Sequence, residues 1–366
     1  MKISIPREEL LKPLQITSSV VERRQTLPVL SNILLKVQDK NLILTGTDLE
    51  VEIVAKLQIS EDLQGEVTLP ARKFLDICRA LPEDANINIQ VDDNKAIIKS
   101  GRSRFSLATL PATEFPNIDP IVSSYTFSIS QKEFKSIIEQ TQFSMAQQDV
   151  RYYLNGLMLE LNNNLIKAVA TDGHRLAICE KPAELTVNEP LQVIIPRKGV
   201  TELSRLLEDS DSKVNVKVSE NHIQVELNNV IFTSKLIDGK FPDYQQVIPS
   251  NPTKIVLCDR DALYQSFTRA SVLSNEKYRG MRLQVTENML KATVHNPEQE
   301  EAEEELEVNY QGDEFEIGFN VSYFIDALAA IKGEKVEVKF TDANQSCLLN
   351  ESNDETCRYV IMPMRL

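Results

Sequence analysis

The sequence lacks the features by which membrane, metal-binding and disulfide-stabilised proteins are usually recognised. No apolar run approaches the ~18 residues needed to cross a membrane, and the first residues, MKISIPREELLKPL, do not resemble a signal peptide. Its five cysteines are odd in number and form no CxxC pair, so we expect reduced thiols in a cytoplasmic protein. We therefore predict no membrane partner, no metal and no cofactor. The cysteines are Cys78, Cys179, Cys258, Cys347 and Cys357.

Catalytic motifs are also scarce. The sequence contains no HExxH, GxSxG or P-loop pattern, and its three histidines, His174, His222 and His295, lie far apart in the chain. The segment ATDGHRLA places Asp172, His174 and Arg175 within four residues. A hydrolase could use Asp172 and His174, but a turn with a hydrogen-bonded histidine is the more ordinary interpretation.

The balance of charge argues against a protein that coats nucleic acid. The formal net charge is −14. Segments with helical spacing hold 13 Lys/Arg against 10 Asp/Glu, a balance of +3, so the remaining residues carry −17. This modest basic bias is equally compatible with i,i+4 pairing on solvated helix faces. The six segments are 7–21, 70–81, 131–145, 196–208, 259–273 and 320–332.

The sequence does contain a threefold repeat with a spacing of about 124 residues. Thr47-Asp48, Thr171-Asp172 and His295-Asn296 each follow a matching pair of strands. A second block, which reads strand, helix, polar break and alternating strand, recurs near Pro70, Pro196 and Asn320. A solenoid repeat is only roughly 20–50 residues long, so each copy must be a domain.

Each copy has two segments of helical period and several strands that alternate apolar and polar residues. This pattern predicts an α+β fold in which two helices pack on antiparallel sheets. We place the three domains at residues 1–125, 126–252 and 253–366. Three like domains suggest an arc, which a symmetric dimer could close into a six-domain ring. Twelve helices at ~9 Å spacing would leave a bore of roughly 23 Å, wide enough for a B-form duplex.

Several long motifs resemble one family end to end. They include TLPVLSNILL, PARKFLDICRALP, SGRSRFSLATLP, ATDGHRLA, GKFPDY, LSNEKYRG, NPEQEEAEEE and the terminal YVIMPMRL. With these motifs the chain resembles the bacterial replicative sliding clamps, the β subunits of DNA polymerase III. The resemblance implies a head-to-tail dimeric ring with helices lining the bore, which encloses double-stranded DNA and has no catalysis of its own. It also implies that the clamp loader and DNA polymerases bind through short linear peptides.

The resemblance further implies a peptide-binding pocket. The matching positions are Leu154, Thr171, Gly173, His174, Arg175, Leu176, Pro242, Val247, Val360 and Met362, with a neighbouring subsite at Asn320, Tyr323, Ser346, Pro363, Met364 and Arg365. The methionine-rich C-terminus supports this interpretation, because such surfaces adapt to varied partners. A terminal strand that packs into the third domain would explain the same residues.

A dimer interface is implied between a basic segment of the first domain and an acidic segment of the third. Residues 298–307 contain seven glutamates in ten positions, whereas residues 95–104 contain four basic residues and no acid. Such complementarity sets orientation and association rate more than affinity. The interface candidates are Lys73, Phe74, Arg102, Arg104, Phe105, Leu107, Val272, Leu273, Glu300, Glu303 and Glu304.

For DNA contact the resemblance implies Arg24, Gln148, Tyr152 and Tyr153. Basic residues of the helical segments, Arg72, Lys73, Arg197 and Lys198, are further candidates. The two tyrosines could stack on single-stranded bases, although tyrosines in a strand are usually packing residues. Besides the hydrolase, a scaffold that binds peptides without DNA is a competing function.

Overall fold

The structure is a computed structural model that describes residues 1–366 except 23–26, 61–63, 93, 117, 119–120, 122–124, 163, 184–189, 343 and 366. A helix begins within one residue of each of the six starts that the sequence predicts. The helices are α1 (Arg7–Ser19), α2 (Ala71–Ala80), α3 (Gln131–Glu139), α4 (Arg197–Leu206), α5 (Arg260–Ser271) and α6 (Val321–Ala330). Within the described residues, no helix has both the length and the apolar character that a membrane crossing requires.

Capping and packing explain the two helices of the third copy. The side chains of Asp259 and Asn320 each accept a hydrogen bond from a backbone N–H in the first turn of α5 and α6, at 2.8 and 2.9 Å. The helices then pack on each other through Phe267 and Phe324, whose ring centroids lie 5.4 Å apart in an edge-to-face arrangement. The two-helix layer predicted for this copy is therefore present.

Helix α3 is shorter than the helical spacing of residues 131–145 predicts. It ends at Glu139, and the chain continues as a 3₁₀ turn over Gln142–Ser144. At the end of α3, the Thr141 hydroxyl donates to the Ile137 carbonyl at 2.5 Å, and the Thr141 N–H bonds to the carbonyl only three residues back. A threonine side chain thus replaces a backbone donor, and the last turn tightens.

The described residues also form 24 strands, all paired antiparallel. They are β1 (Lys2–Pro6), β2 (Asn32–Gln38), β3 (Asn41–Thr47), β4 (Val51–Gln58), β5 (Gly65–Pro70), β6 (Asn86–Asp92), β7 (Lys95–Ser100), β8 (Ser103–Ala108), β9 (Tyr125–Ser130), β10 (Gly156–Asn162), β11 (Leu165–Thr171), β12 (Arg175–Pro182), β13 (Leu191–Pro196), β14 (Lys213–Val218), β15 (His222–Leu227), β16 (Val230–Lys235), β17 (Lys254–Asp259), β18 (Gly280–Thr286), β19 (Met289–His295), β20 (Glu301–Glu307), β21 (Phe315–Asn320), β22 (Lys335–Phe340), β23 (Cys347–Glu351) and β24 (Asp354–Ile361). The α+β class and the antiparallel pairing are as predicted.

The sheets cross the boundaries of the sequence repeat, which the sequence did not reveal. Two eight-stranded sheets have the orders β5-β2-β3-β4-β16-β15-β14-β9 and β13-β10-β11-β12-β24-β23-β22-β17. In each, four strands of one copy join four of the next, through β4–β16 or β12–β24. Two four-stranded sheets, β1-β6-β7-β8 and β20-β19-β18-β21, complete the set. The first and third copies each have one further set of four strands that joins no other set among the described residues, and each of these forms a four-stranded sheet.

The chain divides into two compact units. Unit 1 comprises residues 1–132 and 198–236, and unit 2 comprises residues 133–197 and 237–366. Each contains one eight-stranded and one four-stranded sheet. In unit 1 the apolar faces of α1 and α2 share a core with the strands, with Leu10, Leu14 and Phe74 fully buried. The three domain boundaries drawn from the repeat stay a prediction.

Candidate peptide-binding site

The site begins at the turn between β11 and β12, the segment that looked most catalytic in sequence. The Thr171 hydroxyl donates to the Arg175 carbonyl at 2.6 Å and accepts from the Gly173 N–H at 3.0 Å. One Asp172 carboxylate oxygen accepts from the N–H groups of His174 and Arg175 at 2.9 and 3.0 Å. The local hydrogen bonds of a threonine and an aspartate therefore determine the shape of this turn.

Arg175 joins this turn to helix α6. Its guanidinium contacts Asp172 at 3.1 Å and Asp326 at 2.5 Å, and donates to the Phe143 carbonyl at 2.8 Å. Its planar group also lies 4.6 Å from the centroid of the Tyr323 ring. Burial raises the pKa of the Tyr323 phenol, and the nearby Asp172 charge adds to the effect. Because every face of the guanidinium has a partner, Arg175 is a rigid wall of the site.

A groove of about 190 Å³ opens beside this turn. This cavity, called the groove, is lined by Arg151, Tyr153, Leu154, Thr171, Gly173, Arg175, Leu176, Pro242, Asp243, Tyr244, Val247, Val360 and Met362. Leu154, Leu176 and Val360 are at most 3% exposed and belong to the apolar cluster beneath it. The structure brings together nine of the ten residues predicted for the main pocket.

His174 is the tenth, and it contributes through its backbone. Its side chain is exposed, and its carbonyl accepts a hydrogen bond from the Met362 N–H at 2.9 Å. Further along, the Met364 N–H donates to the Gly318 carbonyl at 2.8 Å. The C-terminal segment is thus held on both sides, which places the half-buried Met362 side chain in the groove.

The positions predicted for a neighbouring subsite have different surroundings among the described residues. Met364 and Arg365 line a separate space of about 460 Å³ that also includes Tyr278. Asn320 caps α6, Tyr323 stacks on Arg175, and Ser346 and Pro363 are half-buried.

Sequence reasoning missed Arg151, Asp243 and Tyr244 as groove residues, and it assigned the fourth unpredicted lining residue, Tyr153, to DNA contact. Arg151 is held by Asp149 at 2.9 Å, and this hydrogen bond lowers the pKa of Asp149 to about 2. The Arg151 guanidinium lies so close to Gly173 that an added Cβ would be 3.0 Å from it, and Gly173 has φ +89°. The quoted GKFPDY motif already contained Asp243 and Tyr244, and was the available signal for both.

The predicted DNA residues are placed in very different surroundings. Arg24 lies outside the described residues. Arg72 and Lys73 are exposed on α2, and Gln148 is exposed with φ +55°. Tyr152 is 58% exposed, so it is not a packing residue, whereas Tyr153 is half-buried in the groove wall.

Two of the predicted DNA residues are engaged within the protein. Arg197 donates to the carbonyls of Met145 and Ala146 at 2.9 and 3.3 Å. Lys198 pairs with Glu22 at 2.5 Å and with the buried carboxylate of Asp48. A basic residue in a helical segment can thus form hydrogen bonds and ion pairs within the protein that stabilise the fold.

The predicted interface residues divide in the same way. Phe74 is fully buried and Leu107 is 8% exposed, both in the core of unit 1, so neither presents a large free surface. Phe105 is half-buried, Arg102 and Arg104 are exposed, and Val272 is 76% exposed at the end of α5. Leu273 is half-buried, Glu300 and Glu303 are exposed, and Glu304 pairs with Arg269 at 2.5 Å.

The expectation of five reduced cysteines is wrong for two of them. Cys179 and Cys357 face each other across β12 and β24 and form a disulfide. They lie 178 residues apart in sequence, so spacing gave no signal of the pairing. Cys78, Cys258 and Cys347 are free and buried.

The two turn residues that suggested catalysis in sequence, Asp172 and His174, have separate surroundings. The Asp172 carboxylate accepts from two backbone N–H groups and pairs with Arg175, whereas the His174 side chain is exposed and is not part of the groove lining, so the two do not form an acid–base pair. In the described part of the chain no group of three or more His, Cys, Asp or Glu residues could hold a metal ion. Fold and site together define a protein of repeated domains with an apolar groove.

Comparisons with known proteins identify the family. The chain matches the family models of the DNA polymerase III beta subunit: the N-terminal domain over residues 1–119, the central domain over 128–243 and the C-terminal domain over 245–365. It is 53% identical to the beta sliding clamp of Pseudomonas putida and 52% identical to that of Escherichia coli, over the full length of each. A crystal structure of the DNA polymerase III beta subunit of Pseudomonas aeruginosa bound to griselimycin superimposes with a TM-score of 0.97, at 51% identity and full coverage of both chains. The chain belongs to the DNA polymerase III beta subunit family, the beta sliding clamps, as its motifs predicted.

Proposed function

We propose that two copies of this chain form a ring that encloses duplex DNA and tethers DNA polymerase III to it, with no catalysis of its own. Family membership supports the role of processivity factor. The observation that supports the ring is that β8 and β20, the counterparts of the strands that join successive copies inside the chain, each lie at the end of a four-stranded sheet among the described residues. The same function places the protein in the cytoplasm, with the bacterial chromosome.

We use the word seam for a strand pair that joins two copies of the repeat in one eight-stranded sheet. The chain contains two seams, β4–β16 and β12–β24, and they supply the geometry for a third. In unit 1, Ile53 of β4 lies opposite Phe232 of β16, and in unit 2, Ala177 of β12 lies opposite Tyr359 of β24. The strands β8 and β20 occupy the equivalent places in their own hairpins, but each is the last strand of a four-stranded sheet. Joining β8 of one copy to β20 of another would build the same eight-stranded sheet a third time.

The register of this third seam follows from the hairpins. Phe105 pairs with Ile98 as Phe232 pairs with Val225, so Phe105 takes the place of Phe232. Ala302 takes the place of Ile53, since it pairs with Val294 as Ile53 pairs with Gly46. We therefore infer that Phe105 lies opposite Ala302 of the second copy.

One residue further along, the same register sets Arg104 opposite Glu303. Both are exposed, so a charge pair would form on the outer face of the joined sheet. Glu303 already pairs at 2.7 Å with Lys291 on the neighbouring strand β19. Opposite charges directly across a strand pair are stabilising, and like charges are destabilising.

Such a contact is head-to-tail, because different edges of the two copies meet. A contact of this kind gives a ring when the rotation closes and a filament when it does not. With two copies, β8 and β20 of each chain are both joined to a strand of the other copy. The ring then holds six equivalent sheets, two from each chain and one at each of the two seams.

The groove supplies the tether. Its floor is apolar and its rim carries Arg151 and Asp243, so it suits a short peptide with two or three apolar side chains. We propose that DNA polymerases and the clamp loader bind there through such peptides. The exposed Tyr152 beside the groove wall, with Arg72, Lys73 and Gln148, would make the weak direct contacts to DNA.

The test is retention on DNA of defined topology. The protein is loaded on a nicked circular plasmid, isolated by gel filtration at moderate salt, and half of the sample is cut once with a restriction enzyme. We expect retention on circles and loss from the cut DNA, because a ring slides off free ends while phosphate contacts do not distinguish the two. Equal retention on cut DNA would show direct binding, and absence from both would favour a peptide-binding scaffold.

A further inference from the structure

A small polar cavity in unit 2, separate from the groove, reaches the disulfide. It measures about 120 Å³, and Cys357 is one of its lining residues. Ser136, Gln140, Lys181, Lys332 and Tyr359 contribute polar groups. This volume equals that of roughly four water molecules, enough to admit the thiol arm of a small molecule.

The Tyr359 hydroxyl suggests that the cavity accommodates a polar group. The residue is 1% exposed, and among the described residues its hydroxyl has no hydrogen-bond partner. An unpaired buried hydroxyl costs free energy unless water or a ligand satisfies it. Lys332, which donates to Ser136 at 3.0 Å, and Lys181 add positive charge, and Glu351 and Asp354 add negative charge to the same lining.

The two sulfurs of the disulfide differ in access. Cys357 is 8% exposed and lines the cavity, whereas Cys179 is fully buried and lies 3.5 Å from the Gln140 side-chain oxygen. In unit 1 the equivalent strand pair is Ala55 opposite Val230, so this link is not a requirement of the fold. An incoming thiolate can therefore reach one sulfur and not the other.

We propose that Cys357 is a site of reversible modification by small thiols, and that its exchange opens the Cys179–Cys357 bond. A thiolate that enters the cavity attacks the Cys357 sulfur, forming a mixed disulfide, and Cys179 leaves as a thiolate that takes up a proton. A second small thiol attacks the outer sulfur of the mixed disulfide and releases a small-molecule disulfide. Cys357 then takes up a proton, so two protein thiols form while two small thiols are oxidised.

The position of the bond gives this chemistry a structural consequence. Leu176 and Val360, which lie opposite each other on the same two strands, are three residues from Cys179 and Cys357. The bond therefore fixes the register of the strands that form the floor of the groove. Opening it leaves the seam to backbone hydrogen bonds and packing alone.

The experiment uses the full chain and a matched pair of variants, Cys179→Ala and Cys357→Ala. Each is incubated natively with oxidised glutathione, digested and mapped by mass spectrometry. We expect one glutathione adduct on Cys357 in Cys179→Ala and none on Cys179 in Cys357→Ala, because only the first sulfur faces the cavity. In the unmodified chain, reduced glutathione should release both thiols together, with loss of amide protection in β12 and β24.

Three other cysteines serve as internal controls. Burial raises the pKa of Cys78 and of Cys258 to about 12, and it also raises the pKa of Cys347, so their thiolates are scarce. They should stay unmodified throughout. An adduct on Cys179, equal labelling of all cysteines, or a Cys179–Cys357 bond that glutathione neither forms nor breaks while the protein stays folded would each overturn the proposal.

Discussion

Units 1 and 2 build the same sheet and the same turn, yet they present different surfaces at the same place. In unit 1, the Thr47 hydroxyl donates to the Val51 carbonyl at 2.9 Å, and Asp48 accepts from the N–H groups of Glu50 and Val51 at 2.9 and 2.7 Å. This repeats the bonds of the turn at Asp172. The backbone is therefore common to both units, and the difference lies in the side chains that follow.

The two units differ most clearly at the position that pairs with the threonine before the turn. Leu176 forms part of the groove floor in unit 2, and Glu52 occupies the same place in unit 1, since each pairs with the threonine before its turn. Burial raises the pKa of Glu52 to about 7, although a hydrogen bond from the Ile118 N–H opposes the shift. Unit 2 thus has an apolar side chain at the position where unit 1 has a carboxyl group with a pKa near neutral.

The largest effect should come from giving unit 2 the residue of unit 1. Leu176 is 3% exposed, so Leu176→Glu would bury an unpaired carboxylate and cost roughly 3 kcal/mol or more at neutral pH. We expect a lower melting temperature and loss of binding of an apolar partner peptide, measured by fluorescence anisotropy. Leu176→Met, which conserves volume, is the control and should retain both. Normal peptide affinity in Leu176→Glu would contradict the assignment of the groove.

Glu52 itself predicts a pH dependence of the stability of unit 1. Its folded pKa is about 7, above the ordinary value of 4.5, so the folded state holds the proton more tightly. Stability should therefore fall as the pH rises from about 4.5 to 7, by up to about 3 kcal/mol in total. Glu52→Gln should remove this slope and be more stable than the parent at pH 8. Denaturant unfolding at several pH values measures the free energy of unfolding of both proteins. The same pH dependence in Glu52→Gln and in the parent would contradict the prediction.

A third comparison concerns the residues at the ends of the seams. Met362 and Lys235 occupy equivalent positions in the two units. Met362 lies three residues after Tyr359 of β24, and Lys235 lies three residues after Phe232 of β16. Met362→Ala should weaken partner-peptide binding by about 1–3 kcal/mol, as truncation of a central contact does. Lys235→Ala in unit 1 is the matched control and should leave the affinity unchanged. Isothermal titration calorimetry measures the peptide affinity of both variants. Equal losses of affinity would mean that the effect is not local to the groove.

These comparisons show what the sequence could and could not predict. The helices and strands follow from periodicity, because an element that buries one face has apolar residues at a regular spacing in the sequence. The continuation of sheets across repeats depends on which strand edges meet in space, and no local pattern encodes that. Side-chain partners were equally hidden: Lys198 looked free in sequence but pairs with Glu22 and Asp48, and Phe74 lies in the core. The groove residues came from motif resemblance, and Arg151 was missed although it lies within the family-like segment TQFSMAQQDVRYYLNG.

The proposed third seam differs from the two internal ones in its charge. Arg104→Glu would place like charges opposite Glu303 and should weaken dimerisation by about 1–2 kcal/mol per seam, more at low salt than at high salt. Glu303→Arg should do the same, and the double charge swap should recover most of the loss. Sedimentation velocity at several salt concentrations measures this. Additive losses in the double variant would show that the two residues are not opposite each other.

The smallest effect concerns the turns themselves. Leu49 in unit 1 and Gly173 in unit 2 occupy the same turn position, with φ of +78° and +89°. This conformation is strained for leucine and free for glycine, so Leu49→Gly should stabilise unit 1, by about 1 kcal/mol at most, because glycine also gains entropy in the unfolded chain. Gly173→Ala should destabilise unit 2 by a similar amount, and its Cβ would also approach the Arg151 guanidinium to 3.0 Å. Because that guanidinium lines the groove, the alanine variant should lose peptide affinity as well, whereas Leu49→Gly should not. Thermal unfolding and peptide titration of the two variants test both halves of the argument, and a stabilised Gly173→Ala would show that the two turns are not equivalent.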